Sequence, residues 1–311
     1  MPLPILHTAA SSPRPRLPSW LKRPLPDAGP FAATARVVAD AGLATVCREA
    51  RCPNLTECWS RKTATFMILG QRCTRRCRYC SVTTARPLPP SPTEPERLAA
   101  AADKLALRHV VITAVARDDL PDEGSGHFAA CVRAVRERLP RATIEVLPAD
   151  FHARRDCIDR VMAAGPDIYN HNLETVERVT PIVRSQGDYR RSLDHLAYAR
   201  EAAQHLLTKS GLMVGLGENT TELEAAMRDL RDVGCDILTL GQYLQPSPRH
   251  FPVDRYYRPE DFESMARFAQ ALGFLAVAAA PFVRSSYNAD AVFEQTRTGP
   301  FDANQDTDTR G

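Results

Sequence analysis

Three cysteines, Cys73, Cys77 and Cys80, stand within eight residues in the run CTRRCRYC. A second trio, Cys47, Cys52 and Cys58, lies just upstream in CREARCPNLTEC. The C-x3-C-x2-C spacing of the first lets one short loop wrap three thiolates round a small inorganic centre, yet it supplies no fourth ligand. Thiolate is the usual ligand of iron–sulfur clusters, and a four-iron cluster held by only three leaves one iron open to a substrate or cofactor. Closed structural zinc wants four ligands, and no histidine stands between His7 and His109 to complete one locally. The second trio, spaced C-x4-C-x5-C, again offers three thiolates in one segment. A six-cysteine zinc scaffold would use paired C-x2-C knuckles, of which only Cys77 and Cys80 form one. Each trio is therefore read as the seat of its own cluster. Cys131, Cys157 and Cys235 are solitary and are expected to be small buried apolar residues.

The elements that must position these cysteines follow from pattern. The first trio comes directly after the strand-like TATFMILG, which puts it at the C-terminal rim of a parallel sheet, where barrel enzymes keep their chemistry. Further strands are expected at HVVITAV, TIEVLP, PDIYNHN, TKSGLMVGL and CDILTLGQYL. Helices are expected near 125–138, 153–164, 189–206, 220–233 and 259–272, and Thr93 with Glu96 predicts a capping box opening the first of the series. Phe31, Val37, Val38, Ala41 and Leu43 predict a short helix over 31–46. Repeated βα order argues for parallel pairing with right-handed crossovers, either closed as a barrel or open as a doubly wound sheet. Residues 64–280 hold six or seven units of about 30 residues rather than eight. The expected fold is thus α/β, a partial (β/α)6-type TIM barrel with an N-terminal cluster-binding extension and a C-terminal extension. The boundaries are an irregular Pro-rich arm over 1–30, a cysteine-bearing extension over 31–62, the barrel over 63–273 and a C-terminal extension with a flexible tail over 274–311. FLAVAAAPFVRSSY is either an added edge strand or a return of the chain across the barrel mouth.

The 311 residues carry 40 basic and 37 acidic side chains, a balance that does not point to nucleic acid. No apolar run approaches the roughly 20 residues of a membrane span. The N-terminus lacks a basic region followed by an apolar one, so secretion is not expected. Nine cysteines without an export signal suit a reducing, cytoplasmic setting, while plastid or mitochondrial import stays open.

The C-x3-C-x2-C run with Tyr79 before its last cysteine resembles the radical S-adenosylmethionine superfamily. The resemblance narrows to the lipoyl synthase family through the C-x4-C-x5-C trio together with RSSYNA at Arg284 to Ala289. CPNLTECW, TATFMILG, RDDLPD, HNLET, YRRSL, TKSGLMVGLGE and GCDILTLGQYLQPS also match, so the likeness spans roughly residues 40–290. It implies two 4Fe-4S clusters. One, on Cys73, Cys77 and Cys80, binds S-adenosyl-L-methionine. The other is held by Cys47, Cys52, Cys58 and a serine, Ser286 rather than Ser285. It also implies insertion of two sulfur atoms at C6 and C8 of an octanoyl group carried on a lipoyl domain, either an E2 subunit or the glycine cleavage H protein. A reductant such as ferredoxin or flavodoxin is implied, and the chain is expected to act as a monomer. Glu123 departs from the family, standing where a paired glycine is usual.

For the cofactor, Tyr79, Asn172, Glu174 and Lys209 are candidate contacts, Lys209 as partner for a carboxylate. Gly215, Gly217 and Glu218 follow an apolar strand, where bare backbone admits a ligand and a carboxylate can take ribose hydroxyls; the plainer reading is a turn into the next helix. Arg72, Arg75, Arg76 and Arg78 are left unassigned, and His171 is read as a barrel-interior histidine. Two other readings compete. A methylthiotransferase or biotin synthase relative would lack RSSY paired with this upstream trio, and a non-catalytic electron carrier would close every iron with protein ligands.

Overall fold

A computed structural model describes residues 17–22 and 28–298. Most of the Pro-rich arm and the tail beyond 298 lie outside the described residues. Strands β1 (Ala44–Thr45), β2 (Thr65–Ile68), β3 (Arg72–Cys73), β4 (Thr83–Thr84), β5 (His109–Ala114), β6 (Thr143–Leu147), β7 (Ile168–Asn170), β8 (Leu207–Val214), β9 (Ile237–Gln242) and β10 (Ala276–Ala279) follow in chain order. The helices are α1 (Ala28–Asp40), α2 (Val46–Glu49), α3 (Leu55–Ser60), α4 (Glu94–Lys104), α5 (Ser125–Arg138), α6 (Arg155–Met162), α7 (Thr180–Val183), α8 (Tyr189–Ala202), α9 (Thr220–Asp232), α10 (Pro259–Ala271) and α11 (Ala289–Thr298).

One sheet runs β1-β2-β5-β6-β7-β8-β9-β10, parallel throughout except for the short antiparallel β1, and its two ends do not pair. This is the expected partial barrel. Its strands are near-continuous apolar runs because both faces are covered, one by helices and one by the barrel interior. Phe66, Ile68, Val110, Ile112, Ile144 and Val146 are all buried, each such side chain contributing about 1.5–3 kcal/mol relative to exposure.

The segment FLAVAAAPFVRSSY does both things considered for it. Its first part is β10, paired in parallel with β9. Its second part crosses the open side of the barrel and is tied to the N-terminal extension. Asn54 Nδ2 donates to the Phe282 carbonyl at 2.7 Å, Tyr287 Oη donates to Glu57 at 2.9 Å and Arg61 donates to Asn288 at 3.1 Å. Helix α11 then seals the N-terminal ends of the strands, Val292 packing with Ile168, Ile237 and Ala276.

Several local expectations need correction. The helix expected over 31–46 ends at Asp40, and the chain turns through Gly42 at φ 59° into β1, which pairs with β2. The Thr93 capping box does not form: Thr93 Oγ1 lies 3.2 Å from Ser91 Oγ. Glu94 instead turns inward, accepting from the Leu69 amide at 2.9 Å and lying 2.7 Å from His127 Nε2. A capping box does form at the start of α9, between Asn219 and Glu222. Helix α8 stops at Ala202, short of 206. Glu123 adopts φ 50° before Gly124 at φ 84°, so this loop keeps the left-handed turn a glycine pair would make, at the cost of strain. Leu21 is buried and Trp20 donates to the Tyr257 carbonyl, so this short stretch of the arm does pack on the barrel.

Candidate active site

Both cysteine trios open onto a single cavity of about 530 Å³. Cys47, Cys52, Cys58, Cys73, Cys77, Cys80, Tyr79, Asn172, Glu174, Ser285 and Ser286 all line it. The upstream trio is brought there by α2 and α3, with Cys52 on the loop between them. The second trio follows β2 as expected. Its loop is bracketed by β3 and β4, which pair in parallel, and Cys80 N closes a turn onto the Cys77 carbonyl at 3.1 Å.

Burial pushes the Cys58 and Cys80 thiols up to about 12 and raises Cys47 and Cys77 as well. Within each trio the sulfurs also raise one another: Cys47 and Cys58 feel Cys52, while Cys77 and Cys80 feel Cys73. Thiolates so placed call for a strongly compensating cation, which iron provides on binding. Neither trio gathers its three sulfurs within 4.8 Å of one another, the packing that a single ion would use. The donor set therefore fits two polynuclear clusters and does not fit two zinc ions.

The C-terminal serines separate by their partners. Ser285 Oγ donates to Asn172 Oδ1 and accepts from Asn170 Nδ2, each at 3.2 Å. Ser286 Oγ accepts from Thr65 Oγ1 at 2.8 Å, and Thr65 also touches Cys47. Ser286 thus sits on the side of the upstream trio, and Ser285 faces the barrel interior.

On the other side of the cavity, Asn172 Nδ2 donates to Glu174 Oε1 at 3.2 Å. Glu174, at φ 71°, is docked along β8 by its amide to Gly211 and by its carbonyl from Met213. Burial raises the Glu174 carboxyl, opposed by the nearby Arg184. Arg184 also lines the cavity. It bonds Ser192 at 2.9 Å and lies 3.4 Å from His171 Nε2, with no carboxylate within 4.0 Å among the described residues. Sequence reasoning missed it, because a lone arginine in a short loop carries no periodic or spacing signal. His171 is buried, stacked on His195 at 4.5 Å, and burial lowers its pKa, as expected of an interior histidine.

Four candidates do not line this cavity and have partners within the chain or a packing reason of their own. Lys209 is buried inside the barrel and its ammonium lies 2.9 Å from Glu145. A parallel strand alternates its side chains, and Lys209 falls on the inward side well before the C-terminal rim. Glu218 turns back on its own loop, accepting from the Gly215 and Leu216 amides at 2.6 and 2.8 Å. Gly215, at φ 101°, sits where a Cβ would overlap Gln242 and the Arg255 carbonyl, so close packing explains it without a ligand. Gly217 does not line the cavity either. Of the four arginines, Arg75 gains a structural place: it binds Asp118 and Asp150 at 2.7 Å, and Asp150 also binds Arg191. This network pins the Cys73–Cys80 loop to the loops after β5 and β6.

An open parallel barrel with a three-cysteine loop after its first strand defines a class, and residues 67–230 match the family model described as the Radical SAM superfamily. Methylornithine synthase aligns at a TM-score of 0.55 with 15% identity over 66% of this chain and 61% of that one. Streptococcus suis SuiB bound to S-adenosylmethionine aligns at 0.53 with 10% identity over 70% and 50%. Those two show the fold alone. The chain belongs to the lipoyl synthase family. It is 51% identical to lipoyl synthase of Chlorobium limicola over 89% of this chain and 95% of that protein. It is 51% identical to that of Methylococcus capsulatus (88% and 86%) and 50% identical to that of Thermus thermophilus (89% and 86%).

Proposed function

We propose that the chain inserts two sulfur atoms at C6 and C8 of an octanoyl group attached to a carrier domain, using S-adenosyl-L-methionine and two 4Fe-4S clusters. The observation that carries this reading is the convergence of both cysteine trios and Ser286 on one cavity. Cys73, Cys77 and Cys80 would hold the cluster that binds the cofactor, and Cys47, Cys52, Cys58 and Ser286 the auxiliary one. Bound there, the first cluster would supply the electron for reductive cleavage of S-adenosylmethionine and the second would supply sulfur, chemistry that unactivated C–H bonds require.

The chain's own residues bind, aim and dry the site. Arg184 takes the cofactor carboxylate in place of Lys209, while Asn172 and Glu174 offer an amide and a carboxylate to its ammonium and hydroxyl groups. Tyr79, beside Cys80, supplies an aromatic wall. Met67, Val115, Leu147 and Met213 give the cavity an apolar lining suited to a saturated chain and hostile to water. Serine holds iron less firmly than thiolate, which suits a cluster that must give up sulfide. The carrier approaches the mouth, where Arg51 is exposed and lines the cavity. The reductant is a small electron carrier such as ferredoxin or flavodoxin, the setting is cytoplasmic, and the chain works as a monomer. No helix among the described residues is long and apolar enough to cross a membrane.

The test is anaerobic reconstitution followed by iron and sulfide counting, with about eight iron per chain expected. Incubation with an octanoylated carrier peptide and reductant should then give 5'-deoxyadenosine and a dithiolated peptide. Cofactor cleavage without sulfur in the peptide would sink the proposal, as would full thiolation by Cys52→Ala.

A further inference from the structure

We infer that Thr65 is a positioning residue for the auxiliary cluster, its hydroxyl fixing the Ser286 oxygen in place as a ligand. The inference rests on the reading of Ser286 as an iron ligand. Thr65 opens β2, is only 4% exposed, and lines the cavity between the two arms of the proposed ligand set. Its Oγ1 donates to Ser286 Oγ at 2.8 Å.

That link matters because the serine has little else to hold it. The segment 281–288 reaches the site as an irregular crossing, anchored at Phe282 and Tyr287 by Asn54 and Glu57. Neither anchor touches the serine oxygen. A hydroxyl on a short side chain otherwise has three staggered χ1 positions that aim its oxygen in three different directions. Partners that fix a ligand's orientation commonly matter to metal affinity by about 10–100-fold.

On the Cys47 side the Trp59 indole is held rigidly, its ring stacked on Phe31 at 5.5 Å and under the Arg48 guanidinium at 4.7 Å, with Thr34 donating to its carbonyl at 2.7 Å. Its N–H is wholly buried and meets no acceptor in full hydrogen-bond geometry. Among the described residues, Thr65 supplies the one hydrogen bond to the Ser286 hydroxyl.

The experiment compares Thr65→Val, which keeps the shape and deletes the hydroxyl, with Thr65→Ser and Ser286→Ala in the reconstituted full chain. Iron release to EDTA is followed, together with the electron paramagnetic resonance signal of a three-iron cluster, the product of losing one iron from a cube. Thr65→Val is expected to release its first auxiliary iron about tenfold faster than the parent and to show the three-iron signal. Thr65→Ser should restore both to the parent level. Parent-like release by Thr65→Val, failure of Thr65→Ser to rescue, or parallel loss of iron from both clusters would each overturn the inference. If Ser286→Ala keeps its iron as the parent does, the reading of Ser286 as a ligand falls. If Ser286→Ala is labile and Thr65→Val is not, only the role of Thr65 falls.

Discussion

Lys209→Met separates a structural lysine from a cofactor contact. In the folded chain Lys209 and Glu145 are 1% and 0% exposed and 2.9 Å apart, with Asn170 donating to the same carboxylate at 2.9 Å and His109 Nε2 3.3 Å away. Burial alone would raise the Glu145 carboxyl, but the lysine ammonium and then His109 hold it down to about 2 against a usual 4.5. That difference is worth roughly 3 kcal/mol at neutral pH. Removing one partner of a buried ion pair commonly costs about 3–5 kcal/mol, because the other charge is left uncompensated. The methionine variant should therefore lose about 3 kcal/mol, measured anaerobically by urea unfolding of the iron-loaded chain with tryptophan fluorescence as the probe. Lys209→Met combined with Glu145→Gln should recover most of the loss, since the amide can still pair with Asn170 and His109. The sign with pH follows from the depressed carboxyl. Its contribution is whole above pH 4.5 and fades as pH falls towards 2, so the gap between parent and variant should narrow in acid. A variant with the parent's unfolding midpoint but a tenfold higher requirement for S-adenosylmethionine would refute the placement of Lys209 as a structural group.

Arg184→Leu should raise the S-adenosylmethionine concentration for half-maximal 5'-deoxyadenosine formation about tenfold or more, the worth of one charge-assisted hydrogen bond, with iron content unchanged. Unchanged cofactor demand would remove Arg184 from the site. Gly241→Ala should displace the crossing segment, because a Cβ there overlaps the Val283 carbonyl, a backbone atom that cannot move aside cheaply. Its iron content is expected to fall from about eight towards about four per chain as the auxiliary site opens, while the Cys73–Cys80 cluster persists. Full iron loading in that variant would show that the crossing does not depend on close contact with β9.

The cavity has a built-in asymmetry. The Cys73–Cys80 loop is pinned by Arg75 to Asp118 and Asp150, charged groups within a largely buried network. Around the upstream trio and Ser286 the C-terminal crossing is tied by single hydrogen bonds, Asn54 to the Phe282 carbonyl, Tyr287 to Glu57, Arg61 to Asn288 and Thr65 to Ser286.

Sequence alone settled whatever depends on local spacing or on period. The trios announce cluster ligands because three thiols within a dozen residues have few other uses, the βα alternation announces a parallel sheet because both faces of its strands are apolar, and the count of six or seven units favours a partial barrel. Six of the eight strands in the main sheet were legible this way, as were the principal helices. Missed were the elements whose reason is tertiary. The two-residue β1 exists only because β2 offers it an edge, and Glu94 in the first turn of α4 turns inward because the Leu69 amide and His127 lie across from it. The same limit governs the site. A lysine at a strand and a glutamate after glycines look alike in sequence whether they meet a ligand or another residue of the chain, and Lys209 and Glu218 had nearer partners in Glu145 and the Gly215–Leu216 amides. Arg184 and Thr65 carried no local signal at all. Their place at the cavity was decided by the fold, because hydrogen bonds and desolvation act over a few ångströms in space, regardless of distance along the chain.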